Sequence, residues 1–205
     1  MLINISLFNQ SEKCLVFSNN NNINLNNLKL KTLKLNELVS YSSIIQTDEE
    51  EKLFVKVTRS KYGANNNGDR KHNKWKFFFR EIIAERILLT ARTLQEYRST
   101  KKLIKIGIKT PDIYASGFFI TNMNTYNGII IYKKMENLIS AQEFLLTSQS
   151  IEMKTILLKK IEIDYKLMAI HKIHFRDLHM SNILFNPVSH DIYWIDASLY
   201  RISLF

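Results

Sequence analysis

The segment HFRDLHMSNILF, residues 174–185, places Asp177 five residues before Asn182, and the later segment IYWID ends on Asp196, fourteen residues beyond that Asn. Small side chains bearing carboxylate or amide oxygens are what a hard cation such as Mg²⁺ prefers when it also holds phosphates. Upstream, the run KLFVKV (52–57) carries Lys56, and the run EYRSTKK opens on Glu96. A cation to neutralise phosphates, an acid to hold that cation, an acid to orient an acceptor hydroxyl and two oxygens for a metal are together the parts of a phosphoryl-transfer site.

Such parts are useful only if regular elements position them. KLFVKV has the β-branched and aromatic content of a short strand, with SSIIQT as its hairpin partner across the acidic turn DEEE. From about Trp75 to Ile106 the pattern turns helical, with Ile83, Ile87, Ala91, Leu94 and Tyr97 at three- and four-residue spacing; Gly107 and Pro111 end it. The length of that run predicts two helices with a bend near Arg80 to Glu85. IYASGFFI (113–120) and GIIIYKKM (128–135) read as a strand pair. Ser150 can cap a helix from about Ile151 to His171, and NILF and DIYWI read as two last strands flanking a turn with Pro187. The Asn-rich stretches at 19–27 and 65–69 read as loops.

The order is therefore a strand with Lys56, a helix with Glu96, two strands, a helix, a loop with Asp177 and Asn182, and a hairpin ending at Asp196. A phosphotransferase of the protein-kinase-like fold needs these parts in this order. The five-residue gap lets Asp177 face the acceptor while Asn182 reaches the metal, and the hairpin returns Asp196 beside them.

Composition narrows the class. Of 205 residues, 45% are hydrophobic and 11% aromatic, enough for a core. Cys14 has no partner for an internal disulfide, no apolar run approaches the roughly 18 residues that span a bilayer, and the N-terminus lacks a signal-peptide pattern. A cytoplasmic protein is expected. The net charge of +10 is concentrated in residues 52–109, which hold sixteen Lys and Arg against four acids. That excess suits an anionic partner. The basic residues are not interleaved with a nucleic-acid reading motif, so no nucleic acid is expected. His72 and His179 have no Cys or His at metal-ligand spacing, which argues against zinc; His179 is expected to pack against the metal site.

Four stretches, LFVKV, EYRSTKKLIKIGIKTPDIYASG, GIIIYKKMENLISAQEFL, and HFRDLHMSNILF with IYWID, cover roughly residues 52–200. On these the chain resembles the bacterial lipopolysaccharide core kinases, which phosphorylate Kdo or heptose and belong to the protein-kinase-like superfamily. The resemblance implies an α+β, two-lobed kinase-like fold, with an N-terminal lobe over 1–135 and a C-terminal lobe over 136–205. It implies an enzyme using ATP and Mg²⁺, in which Asp177 is the catalytic base and Asn182 and Asp196 hold the metal. Lys56 would pair with Glu96 and the α/β-phosphates, and backbone groups near Met135 to Asn137 would meet adenine. The acceptor would be an anionic, lipid A-linked glycolipid, reached from the cytoplasmic face of the inner membrane. Departures are specific: no Gly lies in LVSYSSIIQT (38–47), Phe175 stands where the family's His is usual, and Ala-Ser follows Asp196. The chain ends nine residues past Asp196, so a shortened C-terminal lobe is expected. Two other readings stay open: a small-molecule kinase of the aminoglycoside or choline type, and a catalytically silent pseudokinase.

Overall fold

Strand alternation decides where Lys56 goes. In the computed structural model, which describes residues 2–7, 10–18, 28–30, 40–46, 52–59, 92–119 and 126–201, KLFVKVTR forms a strand whose Leu53, Val55 and Val57 are fully buried. Phe54 and Lys56, pointing to the other face, are half-buried. This strand, β5 (Lys52–Arg59), lies in a seven-stranded sheet with β1 (Leu2–Leu7), β2 (Gln10–Ser18), β3 (Leu28–Leu30), β4 (Ser40–Gln46), β6 (Ile113–Phe119) and β7 (Tyr126–Lys133). The order across the sheet is β3-β1-β2-β6-β7-β5-β4. The expected hairpin of SSIIQT with KLFVKV is the antiparallel β4–β5 pair, in which Ser42 sits opposite Lys56; β7 flanks β5 on its other edge, with Ile130 opposite Lys56. Ile129, Ile130 and Ile131 are all fully buried, as a central strand covered on both faces requires. At Gly117 on β6 an added Cβ would collide with the Leu15 carbonyl oxygen, so only glycine lets these backbones approach.

Helix α1 (Arg92–Lys105) is the described part of the long helical run expected from Trp75 to Ile106; residues 60–91, and the Asn-rich stretches at 19–27 and 65–69, lie outside the described residues. Its C-terminus is a Schellman motif. Gly107, at φ +89, donates its N–H to the Ile104 carbonyl at 3.0 Å, and Ile108 donates to the Leu103 carbonyl at 3.0 Å. Leu103 and Ile108, the apolar pair that accompanies this motif, both join the core described next. Gly107→Ala has open space for its methyl group but not the backbone conformation. It is expected to cost about 1–2 kcal/mol in denaturant unfolding, the penalty of a left-handed L-residue.

The chain divides into two compact units, residues 1–95 with 112–134, and residues 96–111 with 135–205. The second unit has its own core of Leu103, Ile108, Phe144, Leu157, Met168, Ile183, Phe185, Ile192, Trp194 and smaller neighbours. Residues 96–111 group with this unit because Leu103 and Ile108 pack into that core. Around it stand α2 (Ala141–Thr147), preceded by β8 (Ile139–Ser140), and α3 (Ile151–Ile170), the helix expected from Ser150 onward. Both helices are capped by serine: Ser140 Oγ accepts from the Glu143 N–H at 3.1 Å, and Ser150 Oγ from the Met153 N–H at 3.2 Å. The unit is completed by β9 (Ile173–Phe175), a 3₁₀ turn (Met180–Asn182), β10 (Ile183–Phe185), β11 (Ile192–Trp194) and β12 (Leu199–Arg201). Strands β11-β10-β8 form one small sheet and β12-β9 another. The α+β class expected of the chain is the class observed. None of the described helices is long and apolar enough to cross a membrane.

Candidate phosphoryl-transfer site

Three of the chemistry-bearing residues are brought together by two short ladders. Strand β10 pairs with β11 from Ile183 opposite Trp194 to Phe185 opposite Ile192. One step beyond, the Ile195 N–H donates to the Asn182 carbonyl at 2.9 Å, which sets Asp196 next to the residue bonded to Asn182. Strand β9 pairs with β12, Phe175 opposite Leu199, and the Arg176 N–H donates to the Ser198 carbonyl at 2.7 Å. The loop that starts at Asp177 is thereby fixed beside the segment that follows Asp196.

The spacing from Asp177 to Asn182 has a direct structural reason. Asn182 Nδ2 donates to the Asp177 backbone carbonyl at 3.0 Å, and the Asn182 N–H donates to the His179 carbonyl at 2.9 Å, closing the loop on itself. An amide that donates through its nitrogen keeps its oxygen as an acceptor for something else. The Asp177 carboxylate is exposed, with 76% of its side-chain surface accessible, and His179 Nε2 lies 3.4 Å from its Oδ1. Asp196 is also exposed and adopts φ +53, a left-handed conformation that asparagine and aspartate tolerate better than other side chains. Non-glycine residues held there cluster at functional sites.

The hairpin that carries Asp196 is anchored from below. Trp194 is 1% exposed, its ring centroid is 5.1 Å from that of Phe175, and its Nε1 donates to Asp164 Oδ2 on α3 at 2.7 Å. Burial pushes the Asp164 carboxyl above the usual carboxylate range, and the indole hydrogen bond acts in the opposite direction. Lys109 grips the hairpin at two levels, accepting the Trp194 N–H on its carbonyl at 3.0 Å and pairing its ammonium with Asp191 at 2.7 Å. That hydrogen bond holds the Asp191 carboxyl below its usual range and raises the Lys109 ammonium. The pair is partly exposed, so it contributes geometry more than stability.

The remaining sequence-predicted residues are carried by other elements. Lys56 is half-buried on β5, and Glu96 is 8% exposed on α1, a depth at which a carboxyl is retained only with a compensating partner. Met135 and Asn137 lie just past the point where the chain passes from the first unit to the second; Met135 is half-buried, and Asn137 is exposed with φ +57. His72 lies outside the described residues. Sequence reasoning missed the Asp164–Trp194 bond and the β9–β12 ladder; IHF and LYR are too short to announce themselves as strands.

Asn182 and Asp196 fit Mg²⁺ on their chemistry. Both supply hard oxygens from adjacent backbone positions, and Mg²⁺ characteristically takes one or two protein oxygens and fills its shell with water and substrate phosphate. Among the described residues no cluster of three or more His, Cys, Asp or Glu side chains is set to enclose a metal by itself.

Comparison with known proteins decides the family. The sequence profile of the lipopolysaccharide kinase (Kdo/WaaP) family matches residues 43–197, well over half of the chain. The chain belongs to this family. Membership in the lipopolysaccharide kinases makes it a kinase-family protein and agrees with the resemblance carried by LFVKV, KIGIKTPDIYASG and HFRDLHMSNILF. No functionally curated protein matches the sequence. Among solved structures, the bifunctional kinase-methyltransferase WbdD is similar at 15% identity and a TM-score of 0.45, over 74% of this chain and 29% of that one. WaaP in complex with acyl carrier protein is similar at 13% identity and a TM-score of 0.44, over 76% of this chain and 56% of that one. The chain thus spans little more than half the length of WaaP and less than a third of that of WbdD.

Proposed function

We propose that this chain is an ATP-dependent kinase that phosphorylates a sugar hydroxyl, of Kdo or heptose, on the inner core of lipopolysaccharide. One observation carries the reading: in a member of the lipopolysaccharide kinase family, Asn182 is tied to the Asp177 carbonyl by its side chain and to Ile195, beside Asp196, by its backbone. In this reading Asp177 accepts the proton of the acceptor hydroxyl as its oxygen bonds to the γ-phosphorus, the bond from that phosphorus to the bridging oxygen breaks, and ADP leaves. Mg²⁺, when bound by Asn182 and Asp196, supplies charge neutralisation at the nucleotide phosphates. Lys56 serves those phosphates, Glu96 holds Lys56, and the backbone from Met135 to Asn137 meets adenine.

The acceptor in this reading is an anionic glycolipid, which takes the protein to the cytoplasmic face of the inner membrane. The basic excess in residues 52–109, nine of whose sixteen Lys and Arg fall in the described segments 52–59 and 92–109, supports an attraction to such a surface.

The test is transfer of radiolabel from [γ-³²P]ATP in the presence of Mg²⁺ to deep-core lipopolysaccharide or Kdo-lipid A. Label in the glycolipid is the expected result. Label only on aminoglycosides or choline would move the assignment to a small-molecule kinase, and no label from a folded sample would make the chain a pseudokinase.

A further inference from the structure

The loop that carries Asp177 brings one further polar side chain to its carboxylate. His179 has an extended backbone, φ −124 and ψ 145, at the start of the 3₁₀ turn, and its carbonyl accepts the Asn182 N–H at 2.9 Å, so its backbone is fixed. From there the ring reaches back two residues, and Nε2 lies 3.4 Å from Asp177 Oδ1. Among the described residues no other basic side chain is paired with that carboxylate, and the ring is paired with no other acid. The side chain expected to pack against the metal site is thus turned toward the proposed base, while its bond to Asn182 is made through the backbone carbonyl.

An exposed carboxylate on a loop needs such a neighbour if it is to act as a base. Exposed side chains change rotamer on the picosecond-to-nanosecond scale, whereas a general base must stand within hydrogen-bond reach of the proton that it takes. We infer that His179 is a positioning residue for Asp177: its Nε2–H donates to Oδ1, which leaves Oδ2 to face the acceptor hydroxyl. The inference rests on the kinase reading above and deepens it. At 3.4 Å the two groups are in contact rather than closely bonded, and catalytic hydrogen bonds that are long in an unliganded site commonly tighten in the substrate complex. A neutral imidazole carrying its proton on Nε2 has the donor this requires, so no change in ring charge enters. Donation to an ionised acceptor belongs to the stronger class of hydrogen bond. An acceptor that displaces water from the exposed ring and carboxylate strengthens it further.

The experiment compares wild type, His179→Leu and His179→Gln in phosphoryl transfer from ATP to Kdo-lipid A, and repeats His179→Leu in the Asp177→Asn background. His179 is 64% exposed, so all of these variants should fold and, without ligand, melt close to their parent protein. His179→Leu removes the donor and should lower kcat by about 10- to 100-fold, the loss expected for a hydrogen bond to a charged group. The KM for ATP and the rise in melting temperature caused by ATP with Mg²⁺ should not change. His179→Gln should recover most of the rate, because its amide nitrogen stands the same number of bonds from the backbone as Nε2. In the Asp177→Asn background His179→Leu should change the rate by no more than about twofold, since residues that act as a unit are not additive. A kcat unaffected by His179→Leu, equal losses in His179→Leu and His179→Gln, or a full further loss on top of Asp177→Asn would each overturn the inference and leave the kinase reading in place. Loss of the nucleotide-induced rise in melting temperature in His179→Leu would overturn it too, by assigning the ring to the metal site. Absence of transfer by wild type would instead remove the kinase reading and the inference with it.

Discussion

Asp177→Asn is expected to lower kcat by about 10²- to 10⁴-fold, the range that a positioned general base contributes, while leaving the KM for ATP close to wild type. The substitution keeps the size of the side chain and changes only its ability to take a proton. It also keeps the Asp177 backbone carbonyl, so the hydrogen bond from Asn182 that closes the loop has its acceptor. Loss of rate without loss of nucleotide binding is therefore the signature of a proton acceptor. Single-turnover measurement with saturating ATP checks it. A parallel fall in nucleotide affinity would mean that Asp177 acts on the nucleotide rather than on the acceptor hydroxyl.

The largest effect on stability is expected at Trp194, far less exposed than any residue of the site it supports. Truncation to Ala removes a fully buried aromatic side chain from the centre of the second unit, and substitutions of this kind cost about 3–5 kcal/mol. A native protein has only about 5–15 kcal/mol in total, so Trp194→Ala should fold poorly or melt far below wild type. Trp194→Phe separates the packing from the hydrogen bond. It retains most of the apolar contact with Phe175 but takes the donor away from Asp164, a half-buried carboxyl already pushed up by burial.

The sign of the resulting pH dependence is fixed by that shift. A carboxyl whose folded pKa lies above its unfolded value contributes most in acid, and its contribution falls as pH rises through the folded value. Removing the indole hydrogen bond, which favours the charged form, raises the folded pKa further. Trp194→Phe should therefore lose about 1.5–3 kcal/mol at neutral pH, as for a hydrogen bond to a charged group, and the gap to wild type should narrow as the pH is lowered through the carboxylate range. Urea unfolding at a series of pH values measures it. A gap that is constant with pH would mean that the bond to Asp164 contributes nothing specific to the charged form.

Much of this architecture was readable from local chemistry. KLFVKV and GIIIYKK are long and β-branched enough to commit to strands, Gly107 marks a helix end that the structure closes with a Schellman motif, and Ser150 caps the helix it was expected to cap. Helix α2 was also written in the sequence but passed over: Ser140 followed three residues later by Glu143 is the spacing of a capping box, and Ser140 does cap it. What local pattern could not give is pairing between distant segments. Nothing in IHF or LYR announces that Phe175 will sit opposite Leu199, yet that ladder fixes the backbone of Arg176 and the start of the Asp177 loop. The hairpin β1–β2 was likewise unanticipated, because LINISL and QSEKCLVFS follow the apolar alternation of a strand only loosely. The types and order of Asp177, Asn182 and Asp196 suggested a metal and phosphate site; the reason for the five-residue interval, a side-chain bond from Asn182 to a backbone carbonyl, emerged only with the structure.

The central claim is that Asp196, with Asn182, holds the metal of a bound nucleotide, and the most direct measurement is the melting temperature with and without ATP and Mg²⁺ in wild type, Asp177→Asn and Asp196→Gly. Glycine adopts φ +53 freely, so Asp196→Gly keeps the backbone geometry of the site while removing its carboxylate. A ligand that binds only the folded state stabilises it by about 2.7 kcal/mol at a hundred times its dissociation constant. Wild type and Asp177→Asn should therefore melt at a higher temperature with ATP and Mg²⁺, and Asp196→Gly should not. An equal shift in all three proteins would contradict the assignment of Asp196 to the metal.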